Sequence, residues 1–447
     1  MKPRPPLPPG PYLVAGLARS GVAAAAALRA RGGEVIGYDA GANAGELAVT
    51  ARRLSEIGVE VHLDASGDVL AARAGTLVKS PGVAQSAPAV AAARARGIPV
   101  VGELELAWRL LANEFIAVTG TNGKTTTTEW IGHIHRAAGL PVAVAGNVGT
   151  AASSLVDEVP ADATIVCEAS SFQLEDTLAF SPEVALLLNL APDHLDRHGS
   201  FDAYAAAKLR IFDNQQRADF AVVPSGFKLR VRGAARRVEF GCGYGARMSV
   251  RSGRLLWDGE ELMAATELSL VGEHNLANAM AAAAACLVRD VDRDAVISGL
   301  RDFTGVRHRL ERVAVRDGVA FVNDSKATNV ASAIVALRSF EGGVHLIAGG
   351  RGKGEDFSPL ASAVAQRCEA VYLIGEAAPQ LAEALAPAGV GVRELGDLER
   401  ALASARDAAQ PGETVLLAPA CTSFDQYRDF EARGDHFRAL VVGGSRG

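Results

Sequence analysis

Cysteine is scarce in this chain and follows no pattern. The five cysteines, Cys167, Cys242, Cys286, Cys368 and Cys421, are odd in number and scattered through 447 residues. No C-x-x-C pair occurs, so neither a disulfide framework nor a structural zinc site is expected. That usage fits a reducing cytoplasm. Positive charge is not in excess either. The net charge is −6, which argues against bulk nucleic-acid binding as the main role. Long apolar runs are missing too. The longest alanine-rich stretch, Ala279 to Val288, falls short of the ~20 residues a membrane span needs. The proline-rich start, Met1 to Gly10, has no apolar signal core and reads as a disordered or extended lead-in. What is present is 49% hydrophobic content and length for about three domains. A cytoplasmic enzyme without membrane insertion is expected.

Strand and helix signals alternate through the first hundred residues. Tyr12–Ala15 reads as a strand, Ser20–Ala30 as a helix and Glu34–Asp39 as a second strand. Between the first two lies Gly16-Leu-Ala-Arg-Ser-Gly21, nearly the dinucleotide fingerprint, with Asp39 downstream. Ala18 replaces the glycine at which backbone approaches a pyrophosphate, so a nucleotide site is expected but NAD is not. Thr76-Leu-Val-Lys-Ser-Pro-Gly82 runs from a strand into a turn, and Ile98–Val101 closes the unit. This alternation implies a parallel sheet whose ligands gather at the carboxyl ends of the strands.

A linker helix over Glu103–Leu111 leads to the most informative stretch, Val118-Thr-Gly-Thr-Asn-Gly-Lys-Thr-Thr-Thr-Thr128. The apolar run Phe115–Val118 predicts a buried strand, Gly120 and Gly123 a tight turn, and a helix begins near Thr126. Strand, glycine turn, Lys-Thr and helix make a phosphate cradle. Val118 stands where the common P-loop pattern has glycine. Further strands, Val142–Ala145, Thr164–Cys167 and Val184–Leu190, each end in polar or glycine residues. Val238–Leu270 reads as a small antiparallel addition. A third α/β unit begins near Val306, with polar loops at Asn323–Asn329 and Gly349–Gly354.

Taken in order, these motifs resemble one family. Thr119-Gly-Thr-Asn-Gly-Lys-Thr125, Glu168-Ala-Ser-Ser-Phe-Gln-Leu174, Asp193-His-Leu-Asp-Arg197, Ala206–Ile211, His274-Asn275, His308-Arg309 and Asn323-Asp-Ser-Lys-Ala-Thr-Asn329 look like the Mur ligases and their folylpolyglutamate synthetase relatives. The resemblance implies three domains: a Rossmann-like UDP-substrate domain (1–102), a P-loop-type central ATPase domain (103–305) and a Rossmann-like amino-acid domain (306–447). It implies ATP at Gly120, Thr121, Asn122, Gly123, Lys124, Thr125 and Thr126, with Asn278, Arg309, Asp324 and Lys326. Two Mg²⁺ ions are implied at Thr125, Glu168, His194 and Lys208. Lys208 on its helix reads alone as a solvated lysine; the resemblance makes it a CO₂-derived carbamate. His194 reads alone as a loop histidine in a hydrogen-bond network and Glu168 as a strand-end carboxylate. Lys124, His194 and Lys208 are the implied catalytic residues.

The UDP substrate, UDP-N-acetylmuramoyl-L-alanine, is implied at Gly16, Ser20, Asp39, Ser80, Pro81, Gly82 and Asn147. Ala40 stands where relatives often carry a hydroxyl. The acceptor pocket resembles one for D-glutamate, at Lys326, Thr328, Lys353, Ser423 and Phe430. A lysine and hydroxyls suit an acceptor with two carboxylates. The Asp-Asn-Pro-Arg motif of the diaminopimelate- or lysine-adding member is absent. Pro419–Gln426 fits the D-glutamate pattern, with Thr422 and Phe424 in place of small and aliphatic residues. The rivals are an L-alanine-adding ligase, a folylpolyglutamate synthetase, and a sensor that uses ATP only as a switch. Lys124, Glu168, His194 and Lys208 together favour catalysis, by a monomer.

Overall fold

The computed structural model describes residues 2–41, 45–147, 149–243, 245–270, 272–352 and 354–443. The chain divides into two compact units, Met1–Phe303 and Thr304–Gly447. Among the described residues no helix is long and apolar enough to cross a membrane.

The first unit carries two sheets. One contains β1 (Tyr12–Ala15), β2 (Val35–Tyr38), β3 (Glu60–His62), β4 (Thr76–Lys79) and β5 (Val100–Gly102), in the order β3-β2-β1-β4-β5. All its pairs are parallel. The strands β1, β2 and β4 are fully buried, as a parallel sheet covered by helices on both faces requires. The strand order reverses between β1 and β4, so a crevice opens where Gly16 and Ser80 follow these strands.

The second sheet contains β6 (Phe115–Thr119), β7 (Val142–Gly146), β8 (Thr164–Glu168), β9 (Val184–Leu187), β10 (Phe220–Pro224), β11 (Arg236–Gly241), β12 (Met248–Arg251), β13 (Arg254–Trp257) and β14 (Glu260–Ala264). Its order is β14-β13-β12-β11-β10-β9-β6-β8-β7. Here β6 lies between β8 and β9, so the phosphate loop, Glu168 and Asn189 all emerge at one edge. The expected small antiparallel addition is present as β12, β13 and β14. It joins the central sheet through the parallel pairing of Phe240 with Met248.

The second unit contains β15 (Glu311–Arg316), β16 (Val319–Asn323), β17 (Val344–Gly349), β18 (Cys368–Ile374), β19 (Gly391–Gly396) and β20 (Thr414–Leu417), in the order β15-β16-β20-β17-β18-β19. The loops after β16, β17 and β20 meet at its carboxyl edge.

Two sequence expectations become sharper in the structure. The helix after the phosphate loop spans Lys124–Ala137 and so begins before Thr126. Gly123, at φ +82°, turns the chain straight into it, and an added Cβ there would lie 2.2 Å from Asn278 Oδ1. The proline-rich lead-in, expected as disordered or extended, has neither helix nor strand over residues 2–9 and is tied down by its side chains. Lys2 pairs with Asp219 at 2.7 Å, and the Arg4 guanidinium lies 4.3 Å over the Trp108 ring. The linker helix, Glu103–Leu110, is largely buried. Its Glu105 accepts from the backbone N–H groups of Leu178, Ala179 and Phe180.

Candidate active site

The phosphate loop is shaped by its neighbours before any ligand arrives. Asn189, just past β9, accepts from the Asn122 N–H at 2.9 Å and donates back to Asn122 O at 3.1 Å. Its carbonyl accepts from the Thr121 N–H at 3.1 Å. Thr121 Oγ1 lies 3.1 Å from the Tyr204 hydroxyl. Lys124 Nζ donates to Gly120 O and Thr121 O at 3.0 and 2.9 Å, so its ammonium sits over the loop itself. Thr126 is in the first helical turn. Asn278, only 6% exposed, packs on Gly123 from the helix Glu273–Leu287.

A second cluster lies beside the loop. Thr125 Oγ1 donates to Glu168 Oε2 at 2.7 Å, and Asn147 Nδ2 donates to Glu168 Oε1 at 3.0 Å. This brings Asn147, assigned to the sugar nucleotide, against Glu168, assigned to metal. Lys208 is not solvated. It is 2% exposed, on the helix Phe201–Leu209. Its Nζ donates to Gly120 O at 2.7 Å and lies 4.7 Å from the Tyr204 ring centre. Burial first, then the charge of Lys124, pull its ammonium down to about 7. His194 is half exposed and backbone-strained at φ +50°. Its ring lies 4.9 Å from Phe172 and 6.5 Å from Tyr204.

Of the residues assigned to the sugar nucleotide, those of the first sheet gather in the loops that follow β1, β2 and β4. Asp39 accepts from the Leu17 N–H at 2.7 Å and the Gly41 N–H at 2.8 Å. Ser80 Oγ donates to Gly16 O at 2.7 Å. An added Cβ at Gly21 would lie 1.8 Å from Gly16 O, so the helix can start this close only with glycine. Ser20 is in that helix, Arg19–Ala30. Pro81 and Gly82 follow Ser80 in the turn after β4.

In the second unit Asp324 and Lys326 lie on the loop after β16. Asp324 accepts from the Leu310 N–H at 3.2 Å, next to the exposed Arg309. Lys326 Nζ lies 4.1 Å from the Phe430 ring centre. Thr328 is two residues on, and its N–H donates to Lys326 O at 2.8 Å. Ser423 Oγ is buried without a hydrogen-bond partner among the described residues. Lys353 lies outside the described residues.

Arg433 was not legible from sequence. It is 1% exposed, yet its guanidinium donates to Ser325 Oγ, Ser325 O and Cys421 O at 3.0, 3.0 and 3.1 Å. Longer bonds of 3.3 Å reach Gly349 O and Thr422 O. One side chain thus fastens the loops after β16, β17 and β20. Tyr204 and Asn189 were likewise unassigned. Their only sequence signal was proximity to Lys208 and to a strand end.

Asp324 carries a pH dependence. Burial pushes its carboxyl up to about 6. The folded state therefore holds this proton more tightly than the unfolded chain. Stability should fall as pH rises from the ordinary carboxylate value, ~4, to about 6, and then level off. Asp324→Asn should be more stable than the parent at pH 7.5 by about 1–2 kcal/mol. Denaturant melts at pH 4 and 7.5 measure this. A variant less stable at pH 7.5 would mean that the Asp324 charge is well compensated.

Three family models match in chain order: "Mur ligase MurD-like, N-terminal domain" over 11–102, "Mur ligase middle domain" over 118–286, and "Mur ligase, glutamate ligase domain" over 308–421. The chain belongs to the Mur ligase family. Among solved structures, UDP-N-acetylmuramate-alanine ligase MurC from Thermotoga maritima shares the fold at TM-score 0.57 and 18% identity, covering 98% of this chain and 100% of that one. MurF from Acinetobacter baumannii does so at 0.56 and 17%, covering 97% and 93%.

The curated relatives are more particular. A protein of Acidobacterium capsulatum is 42% identical over 96% of this chain and 95% of its own length. One of Myxococcus xanthus is 43% identical over 96% and 97%. Both are named UDP-N-acetylmuramoylalanine--D-glutamate ligase.

Proposed function

We propose that the chain joins D-glutamate to UDP-N-acetylmuramoyl-L-alanine at the expense of ATP, through an acyl phosphate, in peptidoglycan precursor synthesis. Near-full-length identity to ligases of that name carries this reading. In it, residues 1–102 take the sugar nucleotide, 103–305 ATP and 306–447 the amino acid, with the site residues given above. The chain works as a cytoplasmic monomer.

The local geometry supports ATP at Gly120–Thr126. The loop presents backbone N–H groups at a helix N-terminus, and Lys124 adds a mobile charge. A hydroxyl and a carboxylate, Thr125 and Glu168, suit Mg²⁺, which takes oxygen donors and is completed by phosphate and water. When bound, Mg²⁺ neutralises charge on the phosphate oxygens. His194 and carbamylated Lys208 would flank a second ion. The γ-phosphoryl of ATP passes to the substrate's carboxylate and ADP leaves; the amine of D-glutamate then displaces phosphate from the acyl phosphate and loses a proton. The chain's part is to hold the reacting groups in line and to oppose the developing charge.

The test is an acceptor screen with UDP-N-acetylmuramoyl-L-alanine, ATP and Mg²⁺. Phosphate release should need both sugar nucleotide and amino acid. Amide should form with D-glutamate and not with L-glutamate, L-alanine or diaminopimelate. Release without acceptor would favour the ATP-switched sensor. In the same reading the unpartnered Ser423 Oγ donates to an acceptor carboxylate, with Lys353 and Thr328 alongside. Ser423→Ala should raise KM for D-glutamate about tenfold, the usual cost of a hydrogen bond to a charged group. KM for ATP should not move. Equal rises in both would assign Ser423 to loop structure instead.

A further inference from the structure

Arg197 sits between two loops that the reaction must bring together. It lies on the short helix Leu195–His198, directly after His194. Its Nη2 donates to Pro81 O at 2.9 Å and to Val83 O at 3.0 Å. Its guanidinium lies 4.2 Å over the Phe172 ring. Phe172 is itself stacked on His198, with ring centres 5.3 Å apart and planes within 8°. His198 is held by Ser171 Oγ at 3.0 Å and Glu175 at 2.9 Å. The turn is closed by the N–H groups of Arg197 and His198, both donating to His194 O.

Arg197 has no carboxylate within ion-pair distance among the described residues, and its Nε is buried without a partner there. A guanidinium placed this way costs desolvation that only its carbonyl partners and the ring offset. The carbonyls it holds flank Gly82. A trans peptide is planar, with C=O and N–H pointing in opposite directions. Drawing Pro81 O toward Arg197 therefore turns the Gly82 N–H to the other side. That N–H donates to no described residue. Val83 O is held a second time, by Lys79 Nζ at 2.9 Å, and Lys79 is paired with Asp176 in the interior.

We infer that Arg197 is a positioning residue for the sugar nucleotide. Braced on Phe172, it fixes the Pro81–Gly82 peptide so that the Gly82 N–H faces the diphosphate of the substrate. It also sets that loop at a fixed distance from His194 and the phosphate loop. This rests on the reading of the Ser80–Gly82 turn as part of the sugar-nucleotide site. The effect of Arg197 passes through the peptide it orients.

The test uses the full chain with Arg197→Ala, Arg197→Lys and Phe172→Leu. Two readouts are needed: calorimetric binding of UDP-N-acetylmuramoyl-L-alanine without ATP, and steady-state KM for each substrate. Arg197→Ala should weaken sugar-nucleotide binding and raise its KM about tenfold, the scale on which small misplacement is felt. KM for ATP and D-glutamate should stay within twofold. Lysine should not rescue, because a point charge neither stacks on Phe172 nor spans two carbonyls. Phe172→Leu keeps the arginine and should shift the same constant in the same direction by less. It serves as the measure if Arg197→Ala does not fold. Full rescue by lysine would overturn positioning in favour of charge alone. Unchanged binding in both Arg197→Ala and Phe172→Leu would overturn the inference outright. A parent protein that does not bind the sugar nucleotide would instead sink the functional reading, and the two failures are distinguishable.

Discussion

Replacing Lys124 with alanine should cut turnover at saturating ATP by on the order of 10²-fold or more, as loss of other electrostatic stabilisers does. Phosphoryl transfer leaves the protein little covalent chemistry; catalysis is charge placement and alignment. Lys124 Nζ rests on Gly120 O and Thr121 O, at 3.0 and 2.9 Å. Those carbonyls belong to the loop that would wrap the phosphates, so the ammonium needs only a rotation of its stem to reach them. The charge can then follow the phosphoryl group as it moves, which a fixed N–H cannot do. Loss should fall on kcat, with a smaller change in KM for ATP, because the backbone of Gly120–Gly123 and the Asn278 contact remain. The measurement is steady-state amide formation across ATP concentration. Turnover near the parent value would remove the phosphate-cradle role from this lysine.

The parts of the site that were legible from sequence are those whose chemistry is local. Gly120, Gly123, Lys124 and Thr125 sit within six residues, after an apolar run that can only be a buried strand. The turn from Gly16 to Gly21 reads the same way. The strands missed were β3, β15 and β19 at sheet edges, with β10. Edge strands bury one face at most, so β3 and β19 show mixed exposure and carry no continuous apolar run. Arg433 was missed for a different reason. Its carbonyl partners, Ser325, Gly349, Cys421 and Thr422, come from three segments that only the strand order of the second sheet brings together. The lead-in stayed open between disordered and extended because composition says whether a segment can fold alone, not whether a neighbour will hold it. Lys2 and Arg4 find Asp219 and Trp108 far along the chain.

Lys208 marks the limit of reading by pattern, and it carries the second large effect. On its helix it reads as a solvated cation, yet it is 2% exposed. Its ammonium donates to Gly120 O, and among the described residues no carboxylate lies within ion-pair distance. A buried ammonium so placed is costly, and its pKa falls to about 7. Near neutral pH a large share is therefore neutral amine, the form that attacks CO₂. The nitrogen–carbon bond would form as one proton leaves, taking the neutral amine to a carbamate of charge −1; counted from the ammonium, two protons are lost and the site charge goes from +1 to −1. The product offers two hard oxygens, which Mg²⁺ prefers, where an ammonium would repel the ion. Lys208→Ala should then lose activity by on the order of 10²-fold. Acetate or formate should restore part of it, by entering the vacated space and offering carboxylate oxygens. Lys208→Arg should not be rescued, since it fills the space and stays cationic. The measurement is activity of each variant against carboxylic-acid concentration at constant ionic strength, with bicarbonate controlled. An alanine variant fully active without additive would end the carbamate proposal. A folded, inactive one that no small acid rescues would return Lys208 to a structural role, bracing Gly120 beneath the phosphate loop.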